Sequence, residues 1–133
     1  MDTEPRAAIV NPTFSWYRAT AMRTPAFYDE VEPIVLVDPL AALLGAVDGG
    51  LIEYRYLDAV KLAGHSCPTV ACAWLMTGTA LARLYPDGLP ERGNVHVELR
   101  QAADLGVTGV IASIASLVTG AATESGFKGL AGR

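Results

Sequence analysis

Apolar and polar positions change rhythm several times along this chain, and each rhythm predicts an element. Pro25 opens a short helical turn over 26–31, and Ile34-Val35-Leu36-Val37 is a compact β-branched run that predicts a strand. Asp38-Pro39 is an N-cap and first-turn pair, so a helix is expected over 40–47, closed by the turn Asp48-Gly49-Gly50. Over 51–56, Ile52, Tyr54 and Tyr56 alternate with Glu53 and Arg55, the pattern of a half-buried strand. Asp58 can then cap a short helix through Leu62 that Gly64 stops. From Pro68 to Tyr85 the only charge is Arg83, and Val70, Trp74, Leu81 and Leu84 recur at helical spacing. Leu75, Met76 and Ala80 occupy its other faces, which predicts a central helix buried nearly all round. Pro86-Asp87-Gly88 ends it, and 94–100 alternates strictly, with Val95, Val97 and Leu99 opposite His96, Glu98 and Arg100, predicting another strand.

The last helix is expected over 107–123, with two stripes. Val107, Val110, Ile111, Ile114, Leu117 and Val118 form an apolar face, and Gly106, Gly109, Ser113, Ser116 and Gly120 a face of small residues that lets another backbone approach. The segment 106–122 is uncharged, but about 17 residues rich in Gly, Ser and Thr read as a buried helix rather than a membrane span. Strands and helices do not alternate regularly enough for a doubly wound sheet. The expectation is an α+β domain over 25–133, a small mixed or antiparallel sheet packed by long apolar helices. Residues 1–24 form an N-terminal arm whose Phe14, Trp16 and Tyr17 pack on their own domain or on a second copy, unless Met22 is the true start. The tail from Gly126 is glycine-rich and basic without the order of a phosphate-binding loop, and no internal repeat is visible.

Composition narrows the function classes. Hydrophobic residues make up 51% and charged residues 18%, so the chain folds and much of its surface is expected to meet a partner. The net charge of −4 and the lack of a Lys/Arg cluster give a nucleic-acid role no electrostatic support. Two cysteines without a secretory signal point to a reducing cytoplasm.

The chemistry concentrates in Gly64-His65-Ser66-Cys67-Pro68, which holds one of two histidines and one of two cysteines. Pro68 suits the first position of a helix, which makes Cys67 the N-cap, beside unpaired N–H groups and the positive end of the helix dipole. A thiol there ionises more readily, and the thiolate is both nucleophile and metal ligand. His65 enters the same turn and can aim a ring nitrogen at the same point. Cys72, five residues on, is rotated away and is expected to be a buried small hydrophobe. His96 and Glu98 on the polar face of their strand are expected in solvent, and Asp104 is expected to cap a helix or to serve as a third ligand.

The stretch Lys61-Leu62-Ala63-Gly64-His65-Ser66-Cys67-Pro68-Thr69-Val70-Ala71 resembles the FmdE family, named for a protein encoded with molybdenum formylmethanofuran dehydrogenase. Its signature is a Gly-His-x-Cys-Pro turn opening a helix. Pro90-Glu91-Arg92-Gly93, the run from Ala103 to Ala112 and the run from Thr119 to Leu130 are similar to members as well, so the likeness spans about Phe27 to the end. The resemblance implies an α+β fold like the glyceraldehyde-3-phosphate dehydrogenase catalytic domain, in a homodimer. It also implies a bound divalent transition metal at His65 and Cys67, zinc first, with nickel or iron as alternatives. Members continue past the equivalent of Gly132-Arg133 into another strand, so an edge is expected that a partner pairs or that stays exposed, and some carry a zinc ribbon for which this sequence has no cysteines.

Three functions from different classes follow. The first is a metal-binding accessory or subunit-type protein of one-carbon and redox metabolism, handling or sensing metal or supporting a larger redox enzyme. The second is a thiol-dependent enzyme with Cys67 as nucleophile and His65 as base. The third is a structural dimer with an inert turn.

Overall fold

The computed structural model describes residues 22–124, 126, 129 and 130. The expected N-terminal arm over 1–24, with Phe14, Trp16 and Tyr17, lies almost entirely outside these residues. After a 3-10 turn at Ala26–Glu30 the order is β1 (Ile34–Val37), α1 (Pro39–Leu43), β2 (Leu51–Tyr54), α2 (Tyr56–Ala63), α3 (Pro68–Leu84) and α4 (Thr108–Thr119). The class is α+β. The sheet among the described residues is a single antiparallel pair, with Ile34 opposite Tyr54 and Val37 opposite Leu51.

β1 forms where the pattern placed it, whereas β2 stops two residues short of the expected 51–56 because Tyr56 already opens α2; its alternation is visible as half-buried Ile52 and Tyr54 beside exposed Leu51 and Glu53. Asp38 caps α1 as its position before Pro39 predicts, accepting the N–H groups of Leu40 at 2.9 Å and Ala41 at 3.0 Å. The helix is shorter than expected and ends in a turn at Gly45, which has a φ of 65°. Helix α2 starts earlier than expected. Its N-cap is Arg55, and Asp58 sits one turn in, where its carboxylate accepts the Arg55 N–H at 2.8 Å. Gly64 stops it in the left-handed conformation at φ 77°, as its sequence position predicts.

Helices α3 and α4 pack on one another, and α2 packs on both. Their shared interior holds Val70, Ala73, Trp74 and Leu81 of α3 with Ile114 and Val118 of α4, joined by Leu36 of β1 and by Tyr28, Tyr56 and Ala59. Leu36, Leu81, Ile114, Val70 and Val118 are the largest side chains fully removed from water. An edge-to-face aromatic series, Phe27–Tyr28–Tyr56–Trp74, runs through this core with centroid separations of 4.7, 5.2 and 6.2 Å.

Three expectations are corrected. Helix α3 is not covered all round: Leu75, Met76 and Leu84 are more than half exposed, because only the Val70–Trp74–Leu81 stripe has elements packed on it. The strand predicted over 94–100 does not form a ladder among the described residues. The chain touches β1 just before it, through Val37 N–H to Pro90 carbonyl and Arg92 N–H to Val37 carbonyl. It then leaves the sheet, because Gly93 N–H turns to the Thr119 carbonyl at the end of α4. The alternation at Val95 and Val97 records half-burial against the domain rather than strand pairing. Finally, α4 is shorter than predicted and stops at Gly120 in the left-handed conformation. Two members of its small-residue face do admit another backbone: Gly109 lies under the Ala103 carbonyl, and Gly120 lies against Arg92 and Gly93.

One polar hub ties these layers together. Asp38 is nearly buried, and its Oδ2 accepts from Arg92 Nη1 at 3.1 Å. The guanidinium also reaches the Leu117 carbonyl at 3.4 Å and lies 5.8 Å over the ring of Tyr54. Burial pushes the Asp38 carboxyl up, but the Ala41 N–H, Arg92 and the Leu40 N–H outweigh it and hold the pKa below the ordinary 3.8. No helix of the described residues is long and apolar enough to cross a membrane.

Candidate functional site

The His-x-Cys turn is fixed by the elements on either side of it. Gly64 reverses the chain out of α2, and Pro68 starts α3, leaving three residues between them to make the turn. Cys67 is the N-cap of α3 with extended backbone, φ −146° and ψ 170°. Its thiol makes no hydrogen bond of ordinary geometry to the helix, yet it feels the N–H groups that α3 leaves unpaired. The Val70 N–H lowers its pKa most, partial burial opposes this, and the Thr69 N–H and the His65 imidazole lower it further.

His65 is exposed and its ring is oriented by the backbone: Nδ1–H donates to the carbonyl of Ala63 at 3.0 Å. This bond assigns the proton to Nδ1 and leaves Nε2 free with its lone pair in the neutral ring. The Ala63 carbonyl raises the His65 pKa, and Cys67 raises it further. The two side chains therefore bias one another, the thiol toward thiolate and the ring toward imidazolium. Between them, the hydroxyl of Ser66 shares a 2.7 Å hydrogen bond with that of Tyr56, a residue only 3% exposed in the core.

The other candidates fall elsewhere. Asp104 is exposed in the turn before α4. That helix begins on Val107 with no side-chain cap, so the capping role expected of Asp104 is not met. Among the described residues no three of His, Cys, Asp and Glu gather at one point, so Asp104 does not join His65 and Cys67. Cys72 is exposed rather than buried, because it lies on the uncovered side of α3 with Leu75 and Met76. His96 and Glu98 are exposed, in the irregular segment that replaces the expected strand.

Two clefts open on other parts of the surface. One of about 550 Å³ lies between β1 and α3, and one of about 870 Å³ between α1, the segment after Pro90 and α4; neither is lined by His65 or Cys67. Sequence reasoning missed Tyr56, which it treated only as a strand-face aromatic. A bond across ten residues to Ser66 leaves no periodic signal in the sequence.

The donor set suits a transition metal in kind. An imidazole whose other nitrogen is tied to a backbone carbonyl is the usual arrangement of a metal-binding histidine, and a thiolate-prone cysteine beside it adds a borderline-soft ligand. Two donors would fill only half of a tetrahedral sphere, so a metal held there would need further ligands. Comparison with models of protein families, with curated proteins and with solved structures gave no match for this chain.

Proposed function

We propose that this is an FmdE-like protein that holds a divalent transition metal at His65 and Cys67. Its role is that of an accessory or subunit-type protein beside a larger redox enzyme of one-carbon metabolism in the cytoplasm. The observation that carries this reading is the His65 ring, tied through Nδ1 to the Ala63 carbonyl and close enough to the Cys67 thiol for each to act on the other's ionisation. The Gly-His-x-Cys-Pro turn of the FmdE resemblance gives the reading its family, and a fold like the glyceraldehyde-3-phosphate dehydrogenase catalytic domain goes with it. Zinc is the first choice for an imidazole–thiolate pair, and nickel or iron accept the same donors. When bound, such a metal supplies Lewis acidity or a transferable charge. The chain's own part is to favour the thiolate at Cys67 and to orient the imidazole through its Nδ1 bond to the Ala63 carbonyl. Water or a second copy would complete the coordination sphere. The homodimer is supported by the apolar side chains that the single chain leaves open, among them Leu75, Met76 and Leu84.

A second reading, a thiol-dependent enzyme with Cys67 as nucleophile and His65 as base, is favoured by the mutual electrostatic bias of the pair. Against it, neither of the two clefts described above is lined by the pair. Cobalt titration separates the two. Metal binding at this site gives a thiolate-to-cobalt absorption band in the near ultraviolet that Cys67→Ser abolishes and His65→Ala weakens. Absence of the band, with Cys67 rapidly alkylated whether or not metal is present, gives the site to the enzyme reading.

A further inference from the structure

We propose that the chain's own residues 14–18, which lie outside the described residues, add to the outer edge of β1 as an antiparallel strand over the cleft between β1 and α3. The ladder leaves this edge open. Asp38 N–H turns toward β2, to the Gly50 carbonyl, whereas Val37 turns the other way, to Pro90 and Arg92. In an antiparallel pair these directions alternate, so Val35 points its N–H and carbonyl to the same outer edge as Val37. No backbone bond among the described residues meets them there. The segment beside Val37 cannot continue to Val35, because the bond to the Val35 carbonyl would have to come from Pro90, which has no N–H. The edge is thus bare where the cleft of about 550 Å³ begins.

The cleft suits one apolar strand face and one cation. Trp74, Leu75, Ala82 and Tyr85 form its apolar wall, and Glu32 is the only charged residue among the described lining. No ion pair among the described residues engages Glu32. The sequence before Met22 carries the complement. Phe14 and Trp16 alternate with Ser15 and Tyr17, the period of a strand, and Arg18 follows. With Ser15 opposite Val35, an antiparallel strand sets Trp16 opposite Ile34, which packs over Gly78 of α3, and Arg18 opposite Glu32. A shift of two residues either way sets Arg18 on Ile34 or Trp16 on Glu32, so charge and apolar pattern select one register. The tether favours the chain's own arm. Pro25 lies one 3-10 turn, about 10 Å, before Val31 at the mouth of the cleft. Residues 19–24 reach about 20 Å when extended. A tether this short gives an effective concentration of about millimolar, above that of a second copy in ordinary solution. Met76 and Leu84 are not part of the lining and stay open to a second copy.

Hydrogen exchange of the Val35 amide, followed by NMR in the full chain, tests the pairing. Exchange is expected to be slow in the parent and about tenfold or more faster in Phe14→Ser combined with Trp16→Ser, and likewise in Arg18→Glu. The Leu36 amide, which faces β2, is expected to keep its protection throughout and so reports an intact fold. Adding Glu32→Arg to Arg18→Glu is expected to restore slow exchange at Val35. Should the Phe14 and Trp16 variant fail to fold, the charge reversal and its rescue decide alone. A Val35 amide that exchanges freely in the parent, protection that survives the variants, or a charge reversal that Glu32→Arg does not rescue overturns the proposal. Protection that disappears on dilution to single copies overturns it too, and gives the edge to a second copy. His65 and Cys67 do not line this cleft, so the exchange test and the cobalt titration succeed or fail separately.

Discussion

Removal of the Asp38 carboxylate tests how the fold is tied together. In Asp38→Ala two things are lost at once. The N–H groups of Leu40 and Ala41 lose their cap, a change that costs about 1 kcal/mol. Arg92 loses its carboxylate at 3.1 Å, and a hydrogen bond between charged groups is worth about 1.5–3 kcal/mol. The Arg92 side chain is 27% exposed and can recover part of this from water, so the lower half of that range applies. The expected loss is about 2–3 kcal/mol, a large share of the ~5–15 kcal/mol that holds a domain folded. Asp38→Asn keeps a cap of equal quality and removes only the charge, so about half of the loss is expected. A double-mutant cycle with Arg92→Met isolates the pair. The pH dependence has a definite sign. The folded-state pKa of Asp38 lies below the ordinary 3.8, so its contribution is complete above that value and is lost as pH falls through the lower, folded-state value. The difference between the parent and Asp38→Asn, measured by guanidinium unfolding, should therefore narrow below pH 3.8. Equal stability of parent and Asp38→Ala at pH 7, or a zero coupling energy with Arg92, would refute the reasoning.

Leu36→Ala removes a side chain that is wholly buried between the sheet and the helices, and is expected to lower the unfolding free energy by about 2–5 kcal/mol in the same assay. Gly49 and Gly50 both have positive φ, but a Cβ on Gly49 meets open space whereas one on Gly50 falls on the Asp38 carbonyl. Gly49→Ala should then cost only the backbone strain of about 1–2 kcal/mol, and Gly50→Ala clearly more, by thermal or chemical unfolding. In a Cys72→Ser background the pH profile of Cys67 alkylation should lie at lower pH than that of a free thiol, and His65→Ala should move it upward. An unmoved profile would show that the imidazole does not act on the thiol.

How much of this was legible in the sequence depended on the range of the forces involved. Local signals read true: Asp38-Pro39 named a cap, Gly64 named a helix stop, and Pro68 named the start of α3 with Cys67 at its N-cap. Those signals depend on neighbours within one turn, which the sequence displays. The strand expected over 94–100 did not form because its alternation reports only that one side is covered. Pairing also needs a free edge, and Gly93 is drawn to the end of α4 instead. The uniform apolarity of 68–85 gave the helix but not which face is covered, so Leu84 and Cys72 were placed inside and lie outside. At the site, the adjacent donors were visible. The oriented ring, the Tyr56–Ser66 bond and the Asp38–Arg92 tie across 54 positions depend on contacts that only the folded chain makes.

The central claim is that His65 and Cys67 hold a metal, and elemental analysis of tag-free protein beside His65→Ala and Cys67→Ser tests it most directly. About one zinc, nickel or iron per chain or per dimer, lost in both variants while circular dichroism shows the fold intact, is the predicted result. Protein that stays metal-free after anaerobic reconstitution with each of the three ions contradicts the account.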